Sequence, residues 1–119
     1  MAEIINHVVG DVSDIKLIRP QLPGLGNLLD SNWVCKQRVL DAAGTQVIAE
    51  QTITDKYTDA DGQQWFMAAV KPADSEDLTV TGDYVDYSWY IQVANTTTTP
   101  PYKRELLVTL RTKKQGVVS

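Results

Sequence analysis

The run Leu78-Thr79-Val80-Thr81-Gly82-Asp83-Tyr84-Val85-Asp86-Tyr87-Ser88-Trp89-Tyr90-Ile91-Gln92-Val93 decides the fold. From Val85 onward every second residue is apolar: Val85, Tyr87, Trp89, Ile91 and Val93. Asp86, Ser88, Tyr90 and Gln92 alternate with them as a wetter set. A period of two sends successive side chains to opposite faces of a sheet, so the run predicts a long half-buried strand. Two aromatic rings on its apolar face make it the densest source of buried area in the chain. It is the expected central strand of an all-β domain, and its apolar face is expected to meet Trp33 and Cys35 across a sandwich.

Strand signals continue on both sides. Residues 1–14 hold the pairs Ile4-Ile5 and Val8-Val9 and read either as a first strand or as an N-terminal arm, ahead of a domain over residues 15–119. Ile15 and Leu17 give a short strand ending at Pro20, which has no N–H to donate to a ladder. Residues 20–32 carry two prolines and two glycines and read as a loop. Leu22, Leu25, Leu28 and Leu29 within it either pack over one end of the core or form an exposed interface. Trp33, Cys35, Gln37 and Val39 form the inward set of the next strand. Asp41-Ala42-Ala43-Gly44 then turns the chain into a hairpin with Thr45–Thr54. Asp59-Ala60-Asp61-Gly62 turns it into Gln64–Val70, and Pro72–Asp77 has room for one helical turn. Asn95–Pro101 is an extended loop before a last strand over Tyr102–Thr112, with Leu106, Val108 and Leu110 inward. The sum is about seven strands with turns at the spacing of an antiparallel sandwich.

Bulk properties narrow the function. A chain of 119 residues is the size of one domain and can bury a core without metal or disulfide. Fifteen acidic against eleven basic residues give a net charge of −4, the wrong sign for a nucleic-acid-binding face. Cys35 is the only cysteine, so no intrachain disulfide forms and a reducing compartment is expected. Its strand setting predicts a buried, inert thiol. No basic-then-apolar leader and no apolar run of membrane-spanning length is present, so neither secretion nor membrane insertion is expected.

Tests for chemistry return little. Tyr57–Ala68 has the glycine of a calcium loop at its sixth position, but Tyr57 and Ala68 stand where ligands belong, so a hairpin turn explains Asp61-Gly62. Asp74, Glu76, Asp77, Asp83 and Asp86 crowd one solvated region, unlike a facing acid–base pair. His7 is the only histidine, which leaves no Ser-His-Asp set. Asn95-Thr96-Thr97 fits a glycosylation acceptor by chance spacing. Neither a catalytic residue, a cofactor site nor a metal site is expected. Trp65, Tyr84, Tyr87, Trp89, Tyr90 and Tyr102 are the pool from which a glycan-stacking platform could be drawn, with Tyr87 and Trp89 claimed by the core.

Two resemblances extend these readings. Leu78, Gly82 and Tyr84 are spaced as in the tyrosine corner of immunoglobulin-like sandwiches, which implies that the Tyr84 hydroxyl bonds back to the preceding loop. Over roughly residues 30–118 the order of motifs resembles the small immunoglobulin-like modules of tailed-bacteriophage tail and baseplate proteins. The motifs are Trp33-x-Cys35, Asp41…Gly44, Phe66, Lys71-Pro72-Ala73-Asp74, Leu78, Gly82-Asp83-Tyr84, Trp89-Tyr90-Ile91-Gln92-Val93 and Lys114-Gln115-Gly116-Val117. That resemblance implies a non-enzymatic virion building block, made in the host cytoplasm and assembled as a homo-oligomer with other virion proteins. A carbohydrate or host-surface binding module of the same fold is the alternative.

Overall fold

A computed structural model describes residues 3–76 and 78–114. Eight strands and one short helix follow in the order β1 (Glu3–Val8), β2 (Lys16–Ile18), β3 (Val34–Leu40), β4 (Gln46–Ile53), β5 (Lys56–Thr58), β6 (Gln64–Ala68), α1 (Pro72–Ser75), β7 (Val85–Asn95) and β8 (Tyr102–Lys113). They form a five-stranded sheet, β1-β8-β7-β3-β4, and a three-stranded sheet, β2-β6-β5. The class is all-β, in a sandwich-like arrangement of two sheets. Asp77 and Gln115–Val117, which enter the sequence readings, lie outside the described residues.

β7 is the middle strand of the larger sheet. Tyr87, Trp89, Ile91 and Val93 are buried on one face, as their period-two spacing requires. Their relation to Trp33 and Cys35 differs from expectation. β3 is hydrogen-bonded to β7 within the same sheet, with Cys35 opposite Val93 and Val39 opposite Trp89. These side chains are therefore lateral neighbours on one face. The opposing layer of the core comes from Ile18, Phe66 and Ala68 of the small sheet. Periodicity reveals which side of a strand is buried, but not which strand lies beside it.

Three further corrections concern topology. Lys56–Thr58 is a separate strand, so the count is eight: after Ile53 the chain leaves the large sheet and pairs with β6 in the small one. Three residues are too few for alternation to register. The sheet is also not purely antiparallel, because β1 runs parallel to β8, with Glu3 opposite Val108 and Val8 opposite Lys113. Residues Glu3–Val8 are thus a strand of the sheet rather than a detached arm. Finally, the corner tyrosine is Tyr87, whose hydroxyl donates to the carbonyl of Thr79. Tyr84 has the parity of Asp86 and Tyr90, which faces away from the core. It is 45% exposed, with the Arg111 guanidinium 4.3 Å above its ring. Leu78 is buried beneath the corner, and Gly82 takes the positive φ of 71° that the turn before β7 demands.

The core also contains polar groups, each with a partner. Trp89 is fully buried, and its indole Nε1–H donates to Gln37 Oε1 at 2.9 Å. The Gln37 amide in turn donates to Gln51 Oε1 (3.1 Å) and to the Ala69 carbonyl (3.0 Å). Gln51 Nε2 donates to Asp74 Oδ2 at 2.8 Å. The chain of bonds thus runs from β7 through β3 and β4 to the segment around α1.

Two stability measurements follow. Tyr87→Phe should lower unfolding free energy in denaturant by about 1 kcal/mol, whereas Tyr84→Phe should change it by less than about 0.5 kcal/mol. Gln37→Leu should cost about 2 kcal/mol, because it leaves the Trp89 indole N–H buried without an acceptor. Equal effects of the two tyrosine variants would contradict the assignment of the corner.

Candidate functional site

The groups with intrinsic reactivity are tied into the fold. Cys35 is fully buried in β3, and burial pushes its thiol up to about 12, far from the thiolate needed for attack. His7 sits on the inward face of β1 at 3% exposure. Its Nε2–H donates to the Asp11 carbonyl at 2.9 Å, and its Nδ1 is hydrogen-bonded with the Thr112 hydroxyl at 3.2 Å. β8, β7 and the full width between them separate His7 on β1 from Cys35 on β3. The lone histidine therefore helps pin β1 to β8, a role visible in the sequence only as a polar residue at an inward position two after Ile5.

The carboxylates are dispersed. Asp74 accepts from Gln51, and Asp86 holds Arg111 through two bonds of 3.0 and 3.1 Å. Asp83 and Glu76 face solvent. In the turn before β6, Asp59 Oδ1 accepts the amides of Asp61 and Gln63, and Oδ2 accepts the Trp65 indole N–H at 2.9 Å. Those bonds, the indole's first, hold the Asp59 carboxyl below the ordinary aspartate range. Both oxygens serve the turn, and Gly62 at φ 83° completes it, so a calcium ion is not needed to explain the motif. Among the described residues no cluster of three or more His, Cys, Asp or Glu side chains is placed to hold a metal ion, and no helix is long and apolar enough to cross a membrane.

What remains is surface. The leucines of the 20–32 loop divide: Leu29 is buried and Leu25 packs against the core, while Leu22 and Leu28 are 37% and 69% exposed. The aromatic pool divides as well. Tyr87 and Trp89 are buried, Tyr102 packs edge-on against Trp33 at 5.3 Å, and Tyr90 lies under Arg38 at 4.8 Å. Trp65 is half-buried on the outer face of the small sheet, where it stands opposite Tyr57. Met67 and Leu17, the next cross-strand pair, continue this face. The exposed Tyr57 ring and the edge of Trp65 thus belong to one apolar stripe across β5, β6 and β2.

A groove of about 240 Å³ opens along the flank of the domain. Its walls are Lys16–Gln21, in and just after β2, together with Trp65 on one side and Arg104 and Leu106 of β8 on the other. Gln21 N–H donates to the Tyr102 hydroxyl at 3.0 Å and bridges the two walls. Arg19 is fixed by the carbonyls of Gly26, Asn27 and Gln64, so the 20–32 loop is tied to the groove wall. A smaller cavity of about 130 Å³ lies between β4 and β6, over the Gln37–Gln51 amides. A third, of about 200 Å³, lies on the outer face of β3 and β7 beside Val34 and Gln92.

Compared with protein-family models, with characterised proteins and with solved structures, the chain matches none.

The setting of Cys35 gives a direct chemical test. Alkylation of the native protein near neutral pH should be slower than that of an unfolded control by several orders of magnitude and should track global unfolding in denaturant. Rapid labelling of the folded protein would contradict a sealed thiol.

Proposed function

We propose that this chain is a non-enzymatic assembly protein of a tailed-phage or prophage particle, an immunoglobulin-like module that works through its edges and faces. The order of motifs from Trp33-x-Cys35 to the run around Trp89 supports the phage part of the reading. Two sheet orders support the immunoglobulin-like part. β8-β7-β3-β4 follow one another as the G, F, C and C′ strands do in variable-type domains, and β2-β6-β5 as B, E and D. The Tyr87 hydroxyl bond lies two residues before Trp89, which takes the inward place held by a cysteine in antibody domains.

The observation that carries the assembly reading is the division of labour among side chains. His7, Cys35, Asp59, Asp74 and Asp86 are engaged in folding contacts or buried, while strand edges unpaired among the described residues, together with apolar surface, are left outside. A surface of that kind suits partners that dock by backbone pairing and packing. The position in the particle is head, connector, tail or baseplate, with homo-oligomers and other virion proteins as partners.

A second reading, glycan binding, is favoured by one feature: the Tyr57–Trp65 pair on the outer face of the small sheet. Trp33 and Trp89 are buried, so Trp65 is the tryptophan available to a ligand. Saturable quenching of its emission by a glycan, abolished in Trp65→Phe, would raise this reading above the first.

Light scattering after size exclusion tests the assembly reading. At high concentration, or after mixing with the products of flanking genes, the protein should elute as species larger than one chain. Strictly monomeric behaviour under both conditions would overturn the reading.

A further inference from the structure

β1 covers only part of its neighbour. With Glu3 opposite Val108, pairing begins halfway along β8, and the Tyr102–Leu107 half has no strand on that side among the described residues. A strand edge left open presents alternate N–H and C=O groups as a template for another chain. The same is true of β2, which ends the small sheet and pairs with β6 alone. The groove described above runs between these two edges, since Lys16–Gln21 line it on one side and Arg104 and Leu106 on the other.

The chemistry of the walls narrows what would fit. Leu17, Leu106 and Trp65 offer apolar surface, and Lys16, Arg19 and Arg104 supply three positive charges, with no carboxylate in the lining. Lys16 is paired with Glu3 at the mouth. Arg19 is held by neutral carbonyls, with Asp59 near enough to feel it, and among the described residues no acidic side chain forms an ion pair with Arg104. A positive groove on a chain of net charge −4 is the reverse of the molecule's overall field, so it selects a partner segment that is itself acidic. At about 240 Å³ the groove is below the roughly 300–1,000 Å³ of a small-molecule pocket, and its two open edges call for extended backbone.

We infer that the flank groove between β2 and the Tyr102–Leu107 half of β8 accepts an extended acidic segment of another protein as an added strand. The segment lies along the open edge of β8 and its inward face sets an apolar side chain beside Leu106 and a carboxylate beside Arg104, two residues apart on the same face of the strand. A second copy of this chain is the weaker occupant, because two bodies of charge −4 repel on approach. This inference deepens the assembly reading and rests on it only for what the added strand does in a particle.

The test uses a fluorescein-labelled peptide repeating valine-threonine-glutamate-threonine, which puts valine and glutamate on one face of a strand, with the valine-threonine-lysine-threonine peptide as control. The protein should bind the acidic peptide saturably, more weakly as salt is raised, and about tenfold or more tighter than the basic one. Arg104→Glu should weaken binding about tenfold, while Lys114→Glu, the same charge change beyond the end of β8, should alter it less than about twofold. Hydrogen exchange should slow on binding at amides of Tyr102–Leu107, which separates strand addition from mere charge attraction. Equal binding of the two peptides, no effect of Arg104→Glu, or no protection at those amides would overturn the inference. So would self-association of the free protein that Arg104→Glu abolishes, since it would make a second copy the occupant. Peptide capture by a protein that stays inert toward its gene neighbours' products would uphold the groove and count against the phage reading. Co-assembly with the β8 edge unprotected would do the reverse.

Discussion

One buried amide, Gln37, which accepts the Trp89 indole N–H, ties β3 to β7 within the larger sheet and that sheet to the segment after β6. An indole N–H in a dry core must find an acceptor or cost about 1–3 kcal/mol. Trp89 is fully buried, and Gln37, itself 3% exposed, supplies the oxygen. That bond requires Gln37 and Trp89 to share the inward face of neighbouring strands. A slip of one residue would carry Gln37 to the outer face and leave the indole unpaired. The other end of the amide reaches Gln51 and the Ala69 carbonyl, so the same side chain ties the larger sheet to the chain leaving β6. An apolar residue at position 37 would pack but would carry no such information about register.

A second polar pair, His7 with Thr112, does for β1 what Gln37 does for β3. It fixes where the parallel strand sits on β8, and therefore where the covered half ends and the open half begins. The open flank is thus a consequence of how the first strand is anchored. Core chemistry and candidate function meet at this point: the residues that could have been catalytic are used to set registers, and the registers decide which edges stay free.

Much of the fold was legible because alternation is a local signal. The inward sets of β3, β7 and β8 could be read directly, since Trp33, Cys35, Gln37 and Val39, or Tyr87 through Val93, differ in polarity from their neighbours. Partnership was not legible. Nothing local indicates that β3 lies beside β7 instead of across from it, or that β1 joins in parallel, because both depend on long-range pairing. β5 escaped notice because three residues, Lys56–Thr58, carry no period, and their pairing partner supplies the structure. The tyrosine corner shows the opposite error. Spacing from Gly82 pointed to Tyr84, although the alternation already placed Tyr84 on the outer face with Asp86 and Tyr90. The groove was beyond reach, as Lys16–Gln21 and Arg104 are distant in sequence and adjacent only once the sheets are stacked.

Native-state hydrogen exchange on the isolated protein tests the central claim most directly, namely that β8 is paired on both sides over one half and, among the described residues, on one side only over the other. Amides of Val108–Lys113 should exchange only through global unfolding, whether they point toward β7 or β1. In Tyr102–Leu107 every second amide should exchange nearly as fast as an exposed one. Uniform protection along the whole of β8 would contradict the account, because it would mean that the flank is already closed.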